Sequence, residues 1–327
     1  MKSLFKALKY QSVGSSKPRV SVVVIAYNMA REIPRTVSSL LPPYQTGLDG
    51  DDVEVIVLDN GSPHPVDSKV IASWPANVRY EFVTEAKPSP AQALNYGVEL
   101  ARSDFVGVVI DGARMVTPGV LSQALQARAL HERAVIATLG FHLGPKPQQI
   151  STQEGYDQAE EDRLLDQIDW INNGYDLFLI SALGQSARLG WFNPIAESNA
   201  VFLDRALYQE IGGYDEAFAI PGGGIVNLDF FKRLTEDPRN QYILLYGEGS
   251  FHQHHGGVTT SSSVTKPDET HQTMTKWERY LADYKAIRGV DYDFPRRDPI
   301  LFGVSRPQMM PVIERIGDEY KSARAQS

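Results

Sequence analysis

The chain has 327 residues, 42% of them hydrophobic and 22% charged, a balance that is ordinary for a soluble globular protein. Its formal net charge of −8 argues against a protein that mainly holds a nucleic acid backbone, because that task needs a dense cationic face. Because the chain has no cysteine, disulfides, thiolate zinc sites and a catalytic thiol are excluded, and any bound metal needs oxygen and nitrogen ligands.

The sequence has no apolar run that approaches the roughly 18 residues of a membrane-spanning helix. The N-terminus also lacks the apolar core of a signal peptide, so we expect a cytoplasmic protein. The first 31 residues carry basic side chains and no acidic one. That segment would suit a peripheral contact at the inner face of a membrane, although a solvated terminus is the simpler interpretation.

Two β-branched runs near the start predict buried strands of a parallel sheet: "RVSVVVIAYN" and "VEVIVLDNGS". An amphipathic helix is expected after the first run, because Ile33, Val37 and Leu40 recur at helical spacing. The stretches "VRYEFVTE" and "DFVGVVIDGARM" predict two further strands, with a helix between them that begins near Ser89. Strands that alternate with helices predict an α/β fold with a mostly parallel sheet.

Ligands of such sheets bind outside the carboxyl ends of the strands. Polar residues stand at these predicted ends, namely Tyr27, Asn28, Asp59 and Asp111. A single Asp at a strand end is common as the start of a turn. Two at corresponding ends of successive units indicate a binding site, where a carboxylate serves a ribose hydroxyl or a divalent ion.

The pattern is less regular beyond Asp111. Further helices are expected at about 118–132, in "EEDRLLDQIDWI" and in "NLDFFKRLTED". Further strands are expected in "AVIATLGFHLG", at the start of "NAVFLDRALYQEIGG" and in "YILLYGEGSFHQHHGG". The tail from about Thr259 is predicted to be loop and helix on the surface.

Three stretches of the chain, together with a strand that ends in Asp59, resemble family 2 glycosyltransferases. These stretches are "VSVVVIAYN", "AQALNYGVELARSDFVGVVID" and "IGGYDEAF". The resemblance covers about residues 19–257 and implies an A-type glycosyltransferase fold, a Rossmann-like, mostly parallel sheet flanked by helices. It divides the chain into a basic segment at 1–18, a nucleotide-sugar-binding part at 19–115, an acceptor and catalytic part at 116–258 and a tail at 259–327.

On the donor side, the resemblance implies that Tyr27 and Asn28 lie near the nucleotide base and Asp59 near the base or ribose. Asp111 matches the first Asp of the D-x-D motif with which this family holds a divalent metal, Mn or Mg. The second acidic position of that motif is Ala113 in this chain. A metal that bridges the donor diphosphate would therefore need another protein ligand.

The stretch "FHQHHGG" supplies candidate ligands for that metal, since a neutral imidazole is the commonest protein metal ligand. In some enzymes of this fold a downstream histidine completes the metal site. If the segment stays extended, His252 and His254 share one face; if it turns at Gln253, His252 and His255 converge. We expect His252 to be the ligand with His255 next, and a polar loop with solvent-exposed imidazoles is the alternative.

An inverting transferase needs a carboxylate that deprotonates the acceptor hydroxyl. The family often supplies it from an E-D-x-D-L-x-x-R helix start, which reads "VNLDFFKR" in this chain, so that Asn227 replaces an acid. The carboxylates that remain are Glu197, Asp215 and Asp229. We expect Glu197 to be the catalytic base and rank Asp229 second, because Asp215 is suited to closing a glycine turn.

Three other features each have two interpretations. The "PGGGIVN" loop either closes over a ligand or links two elements. His142 is a site residue or a structural histidine. The aromatic rings of Trp170, Tyr175 and Trp191 stack on a sugar or fill the core.

The resemblance implies a glycosyltransferase that moves a sugar from a nucleoside-diphosphate sugar to a hydroxyl acceptor. We expect the reaction to be inverting and metal-assisted, in polysaccharide or glycoconjugate synthesis. Its expected acceptor is a saccharide or lipid-linked saccharide, with no nucleic acid partner. The replacements at Ala113 and Asn227 motivate the alternative, a catalytically inactive relative that binds nucleotide sugars or serves as a scaffold. A nucleotidyltransferase would need a basic, glycine-rich loop after the first strand, which the sequence lacks.

Overall fold

The computed structural model describes residues 16–255, 267–268 and 271–325. Most of the basic N-terminal segment lies outside these ranges, and with it the predicted membrane contact. No helix in the described part of the chain combines the length and the apolar character needed to cross a bilayer.

Strands and helices alternate along the first half of the chain, as the sequence predicts. The strands are β1 Val20–Ala26, β2 Val53–Asp59, β3 Val78–Phe82, β4 Phe105–Val109, β5 Arg114–Val116, β6 Ala134–Leu143, β7 Ser181–Leu183, β8 Ala200–Asp204, β9 Gln241–His252, β10 Pro267–Asp268, β11 His271–Thr275 and β12 Ile300–Gly303. The helices are α1 Ile33–Ser39, α2 Ser68–Ser73, α3 Ala91–Leu100, α4 Val120–Arg128, α5 Gln148–Ser151, α6 Gln158–Leu165, α7 Arg205–Glu210, α8 Val226–Glu236, α9 Lys276–Arg288 and α10 Met310–Ala325.

One large sheet organises the chain, with its strands in the order β12-β9-β6-β8-β4-β1-β2-β3. Strands β1 to β4 run parallel to one another. Strand β8 is antiparallel to both β4 and β6, so β6 and its parallel neighbour β9 point the same way as β4. Two short strands add to this sheet, because β5 pairs with β9 and β7 pairs with β6. The sheet is therefore mostly parallel, with β8 as its reversed central strand.

The central strands are buried on both faces, which explains why they read as continuous apolar runs. Alternate residues of β1 enter different cores: Val23 and Ile25 pack into the cluster under α3 and α8, whereas Val22 and Val24 pack into the cluster under α1 and α4. Burial of each such side chain stabilises the fold by roughly 1.5–3 kcal/mol. The two cores hold the strand ends rigidly on a common frame.

The strand directions bring distant parts of the chain to one edge of the sheet. The carboxyl ends of β1, β2, β4, β6 and β9 lie at the same edge as the amino end of β8. The predicted site residues that adjoin this edge are Tyr27, Asn28, Asp59, Asp111, Glu197 and His252. The topology of the sheet thus brings together residues that lie more than 200 positions apart in the sequence, such as Tyr27 and His252.

The structure differs from the predicted elements in the tail and at the end of α6, among other places. The tail contributes β12, which extends the sheet as a parallel neighbour of β9 with Ile300 opposite Ile243. Four residues are too few to show a strand period, so this pairing is decided by the exposed edge of β9. Helix α6 ends at Leu165, earlier than predicted, and Asp169 then accepts hydrogen bonds from the Asn172 side chain and closes a turn.

Candidate active site

The loop after β4 presents Asp111 at the carboxyl edge of the sheet. Its Oδ1 accepts the backbone N–H of Ala113 at 3.1 Å, which bends the chain back toward β5. Gly112 permits this bend, because a Cβ there would lie 2.6 Å from the backbone oxygen of Ile25. Burial alone would raise the pKa of Asp111, but the imidazoles of His252 and His255 hold it well below its usual value. Asp111 is therefore an ionised carboxylate.

Two histidines converge on this carboxylate. His252 Nε2 lies 2.8 Å from Asp111 Oδ2, and His255 Nε2 lies 3.6 Å from Asp111 Oδ1. The chain turns directly after β9, where the buried Gln253 donates its N–H to the Ala113 carbonyl. The turned alternative from the sequence is thus the observed one. His254 instead faces the Tyr156 ring edge-on, 5.8 Å between centroids.

Gln148 decides which nitrogen of His252 carries a proton. Its Nε2 donates to the carbonyls of Leu143 and His252, so its Oε1 is left to accept at 2.6 Å from His252 Nδ1. The Nδ1–H tautomer leaves a lone pair on His252 Nε2, only 3.1 Å from His255 Nε2. Burial lowers the pKa of His252 to about 4, which keeps this imidazole neutral.

These side chains fit a divalent metal. Within the described ranges, Asp111, His252 and His255 each offer one ligand atom, and the three atoms lie within 4.8 Å of one another. Three electron-rich atoms that face each other repel unless a cation lies between them. The proton is the competing cation, since Asp111 raises the pKa of His255 although burial opposes it. The set of one carboxylate and two imidazoles suits Mn better than Mg, which prefers oxygen ligands.

The predicted donor residues form a second group at the same edge. Asp59 is 1% exposed, and its carboxylate accepts hydrogen bonds from the Ser62 N–H and the Tyr80 hydroxyl. Asn28 has a φ of +56° and donates its N–H to the Ser62 hydroxyl at 2.7 Å. Tyr27 is 57% exposed. Ser62 therefore links Asp59 to the loop after β1.

The two predicted base candidates have different surroundings. Glu197 is half-buried just before β8, and its Oε2 accepts the side-chain amide of Asn227 at 2.7 Å. Asp229 is 1% exposed, and both of its oxygens are bound by Arg288, with Arg233 as an additional partner. No hydrogen bond to Glu197 Oε1 is seen among the described residues, whereas the carboxylate of Asp229 is engaged in a buried ion pair. Asp215 also pairs with Arg288, at 2.7 Å.

Other residues that the sequence singled out serve mainly to support the site. His142 lies beside His252, 5.3 Å between ring centroids, and its Nδ1 accepts the Gln148 N–H. Trp191 is fully buried and donates to a main-chain carbonyl, so it belongs to the core. The "PGGGIVN" loop reaches the carboxyl edge of the sheet, because Gly222 donates its N–H to the Pro88 carbonyl in the loop after β3, at 3.0 Å.

Sequence reasoning missed two residues of the site. Gln148 sets the tautomer of His252, and nothing in its local sequence indicates that task. Arg114 lies opposite His252 in the β5–β9 pairing and is 6% exposed. Arg114 could have been recognised from its position three residues after Asp111, because a basic residue there lies beside the metal motif.

A family comparison agrees with this geometry. The family model described as glycosyl transferase family 2 matches residues 21–142. The chain carries a family 2 glycosyltransferase domain. The matched range holds Asn28, Asp59 and Asp111, three of the residues that the sequence singled out. Glu197 and the histidines lie beyond it, and only the fold brings them to the same edge.

Solved structures with a similar fold include those of S. aureus TarS. TarS 1–349 in complex with UDP-GlcNAc aligns with 84% of this chain and 68% of its own, at 13% identity and a TM-score of 0.53. TarS 1–349 alone aligns with 73% of this chain at 12% identity and a TM-score of 0.45, and the chain spans 58% of that structure's length. No curated protein matches the chain. The predicted A-type fold of the glycosyltransferase domain is confirmed.

Proposed function

We propose that the protein transfers a sugar from a nucleoside-diphosphate sugar to a hydroxyl acceptor, with inversion and with a divalent metal. The observation that carries this proposal is the convergence of Asp111, His252 and His255 beside Glu197 at the carboxyl edge of the sheet. The family match over residues 21–142 supports the reaction class. The fold shared with TarS, which was solved with UDP-GlcNAc, supports a nucleotide-sugar donor.

The donor base is held by the group around Asp59. Its buried carboxylate and the Asn28 backbone are fixed through Ser62, so the polar atoms of this loop are positioned before the nucleotide arrives. The exposed Tyr27 ring offers a face on which a nucleotide base stacks.

Asp111, His252 and His255 would hold the metal. When bound, a divalent ion screens the charge of the donor diphosphate and acts as a Lewis acid on the departing group. The residues themselves stay in the required protonation states: an ionised Asp111 and a neutral His252. Gln148 keeps the lone pair of His252 Nε2 directed at the Asp111 carboxylate.

Glu197 is the proposed general base. Asn227 occupies Oε2, so Oε1 is free to take the proton of the acceptor hydroxyl. A carboxylate supplied before β8 thus substitutes for the acid that Asn227 replaces at the start of α8. This arrangement favours an active transferase over an inactive relative, and the acceptor we propose is a saccharide or a lipid-linked saccharide.

The test is thermal unfolding of the purified protein with a panel of nucleoside diphosphates and their sugars, each with Mn²⁺ and with chelator. A ligand that binds only the folded state raises the unfolding midpoint by mass action. We expect one base to give a shift that chelator abolishes and that both Asp111→Ala and His252→Ala lose. No shift with any nucleotide would overturn the proposal. Donor binding without sugar transfer or hydrolysis would instead support the inactive relative.

A further inference from the structure

Arg114 is a buried cation without the hydrogen bonds that such a group normally has. Only 7% of the side chain is exposed, and neither Nε nor Nη1 has a hydrogen-bond partner within the described residues. Its nearest acid is Asp111, whose Oδ2 lies 3.8 Å from Nε, too far for a hydrogen bond. Burying guanidinium donors without partners is costly, which indicates that a partner is missing.

Arg288 shows how the same chain satisfies a guanidinium that has a structural task. Its Nε, Nη1 and Nη2 all contact carboxylate oxygens of Asp229 and Asp215, at 2.7 to 2.8 Å. Arg288 is nevertheless more exposed than Arg114, with 24% of its side chain accessible against 7%. The difference indicates that the guanidinium of Arg114 is held ready for a ligand.

The surroundings of Arg114 form a small cradle for an anion. A Cβ on Gly140 would lie 3.9 Å from Arg114 Nη1 and 3.9 Å from Asn199 Nδ2. Two N–H donor groups therefore flank one glycine, where no side chain fills the space. On one side, Asn199 accepts the side-chain amide of Asn227, which also binds the proposed base Glu197. On the other side, Arg114 lies beside the proposed metal ligand Asp111. The cradle thus lies between the two ends of the proposed reaction.

We propose that Arg114 binds an oxygen of the donor's β-phosphate beside the metal ligands. This inference rests on the proposed function, in which the bond between the anomeric carbon and the β-phosphate oxygen breaks. The electron pair stays on that oxygen, the acceptor oxygen bonds to the anomeric carbon, and its proton passes to Glu197. The leaving diphosphate gains one negative charge in this step. A guanidinium at this point meets that charge with charge-assisted hydrogen bonds.

The charge balance of the site favours a phosphate. Ala113 replaces the second acid of the metal motif, so the ligand set has one carboxylate, and Arg114 adds a further positive charge next to it. Every nucleoside-diphosphate sugar carries a β-phosphate, whereas only acidic sugars carry a carboxylate. The β-phosphate and the sugar carboxylate both offer anionic oxygens to Arg114, and the experiment distinguishes between them.

The experiment is calorimetric titration of wild type, Arg114→Gln and Arg114→Lys with Mn²⁺ present. The ligands are the nucleoside diphosphate that stabilises wild type most, its monophosphate, and its glucose and glucuronic acid derivatives. We expect Arg114→Gln to bind the diphosphate and both sugars at least about tenfold more weakly, the monophosphate within about twofold, and Arg114→Lys to recover part of the loss. Arg239→Gln is the matched control, because it removes an exposed arginine just before the opposite end of β9.

A purely structural role of Arg114 would predict that Arg114→Gln is less stable than wild type, whereas the proposed ligand-binding role predicts no loss of stability. Without ligand, Arg114→Gln should unfold at the same temperature as wild type or higher, because an unpartnered buried charge has been removed. Unchanged diphosphate affinity in Arg114→Gln overturns the inference, and so does a loss confined to the glucuronic acid derivative. If wild type binds none of the nucleotides, the proposed function itself fails.

Discussion

Asn227 donates its side-chain amide to Glu197 at 2.7 Å, so the residue that replaces a family acid holds another carboxylate in the same site. Asn227 also reaches the side-chain oxygen of Asn199 at 3.2 Å. Asn227 at the start of α8 thus fixes the position of the proposed base. The proposed base therefore lies on the half-buried loop before β8, held by the first turn of α8.

Glu197→Gln should lower kcat at least about 100-fold while donor affinity stays near the wild-type value, because the amide cannot take a proton. Asn227→Ala should give a smaller loss, since it only frees the carboxylate to move. Steady-state transfer assays and nucleotide titrations provide the two readouts. Retained kcat in Glu197→Gln would eliminate this residue as the base and return attention to Asp229.

Metal binding should depend on the two converging histidines and not on the third. We expect Asp111→Asn, His252→Ala and His255→Ala each to weaken Mn²⁺ binding at least about tenfold, because each removes one ligand. His254→Ala is the control from the same motif, since its ring packs on Tyr156. Titration of Mn²⁺ followed by electron paramagnetic resonance measures all four. Equal affinity in His252→Ala and His254→Ala would contradict the predicted ligand set.

Asp229 should matter for stability. Asp229→Ala leaves Arg233 and Arg288 without the carboxylate that joins α8 to α9, and breaking such a buried pair should lower the free energy of unfolding by about 3 kcal/mol. Urea unfolding measures this loss. Asp293→Ala, which removes an exposed partner of Lys232, is the control and should change little. A stable Asp229→Ala protein that binds donor but does not transfer sugar would instead favour a catalytic task.

Glu161 gives the protein a pH-dependent stability near the metal site, because its carboxyl group is fully buried where it meets the backbone N–H of His254. Burial raises its pKa to about 7 from a usual value of 4.5, although that N–H and Arg31 oppose the shift. The folded protein therefore binds more protons than the unfolded chain between these values, and stability falls as pH rises through this window.

Glu161→Gln lacks this titration. Its stability relative to wild type should rise from pH 4.5 to pH 7 by up to about 3 kcal/mol and level off above pH 7. Urea unfolding at a series of pH values measures the difference. Glu160→Gln is the neighbouring control, because 38% of the Glu160 side chain is exposed and Arg163 lowers its pKa, so it should not share this rise. A difference independent of pH in Glu161→Gln would refute the assignment.

Much of the fold could be predicted from short windows of sequence. The β-branched runs around Val23 and Val57 specify strands, because side chains buried on both faces must be apolar throughout. Asp59 and Asp111 could be placed at strand ends for the same local reason. β12 could not be predicted, since a four-residue strand is decided by the edge it joins.

The sequence by itself determined the α/β class, the family, and the polar residues at the ends of the first strands. Only the tertiary structure decided that His255 turns back to Asp111, that Asn227 holds Glu197, and that Arg288 binds Asp229 from 59 residues away. Strand propensity and turn chemistry act over a few residues and can therefore be recognised in a short window of sequence. The partner of a buried charge or imidazole depends on which segments pack together, and that is set by the topology of the whole sheet.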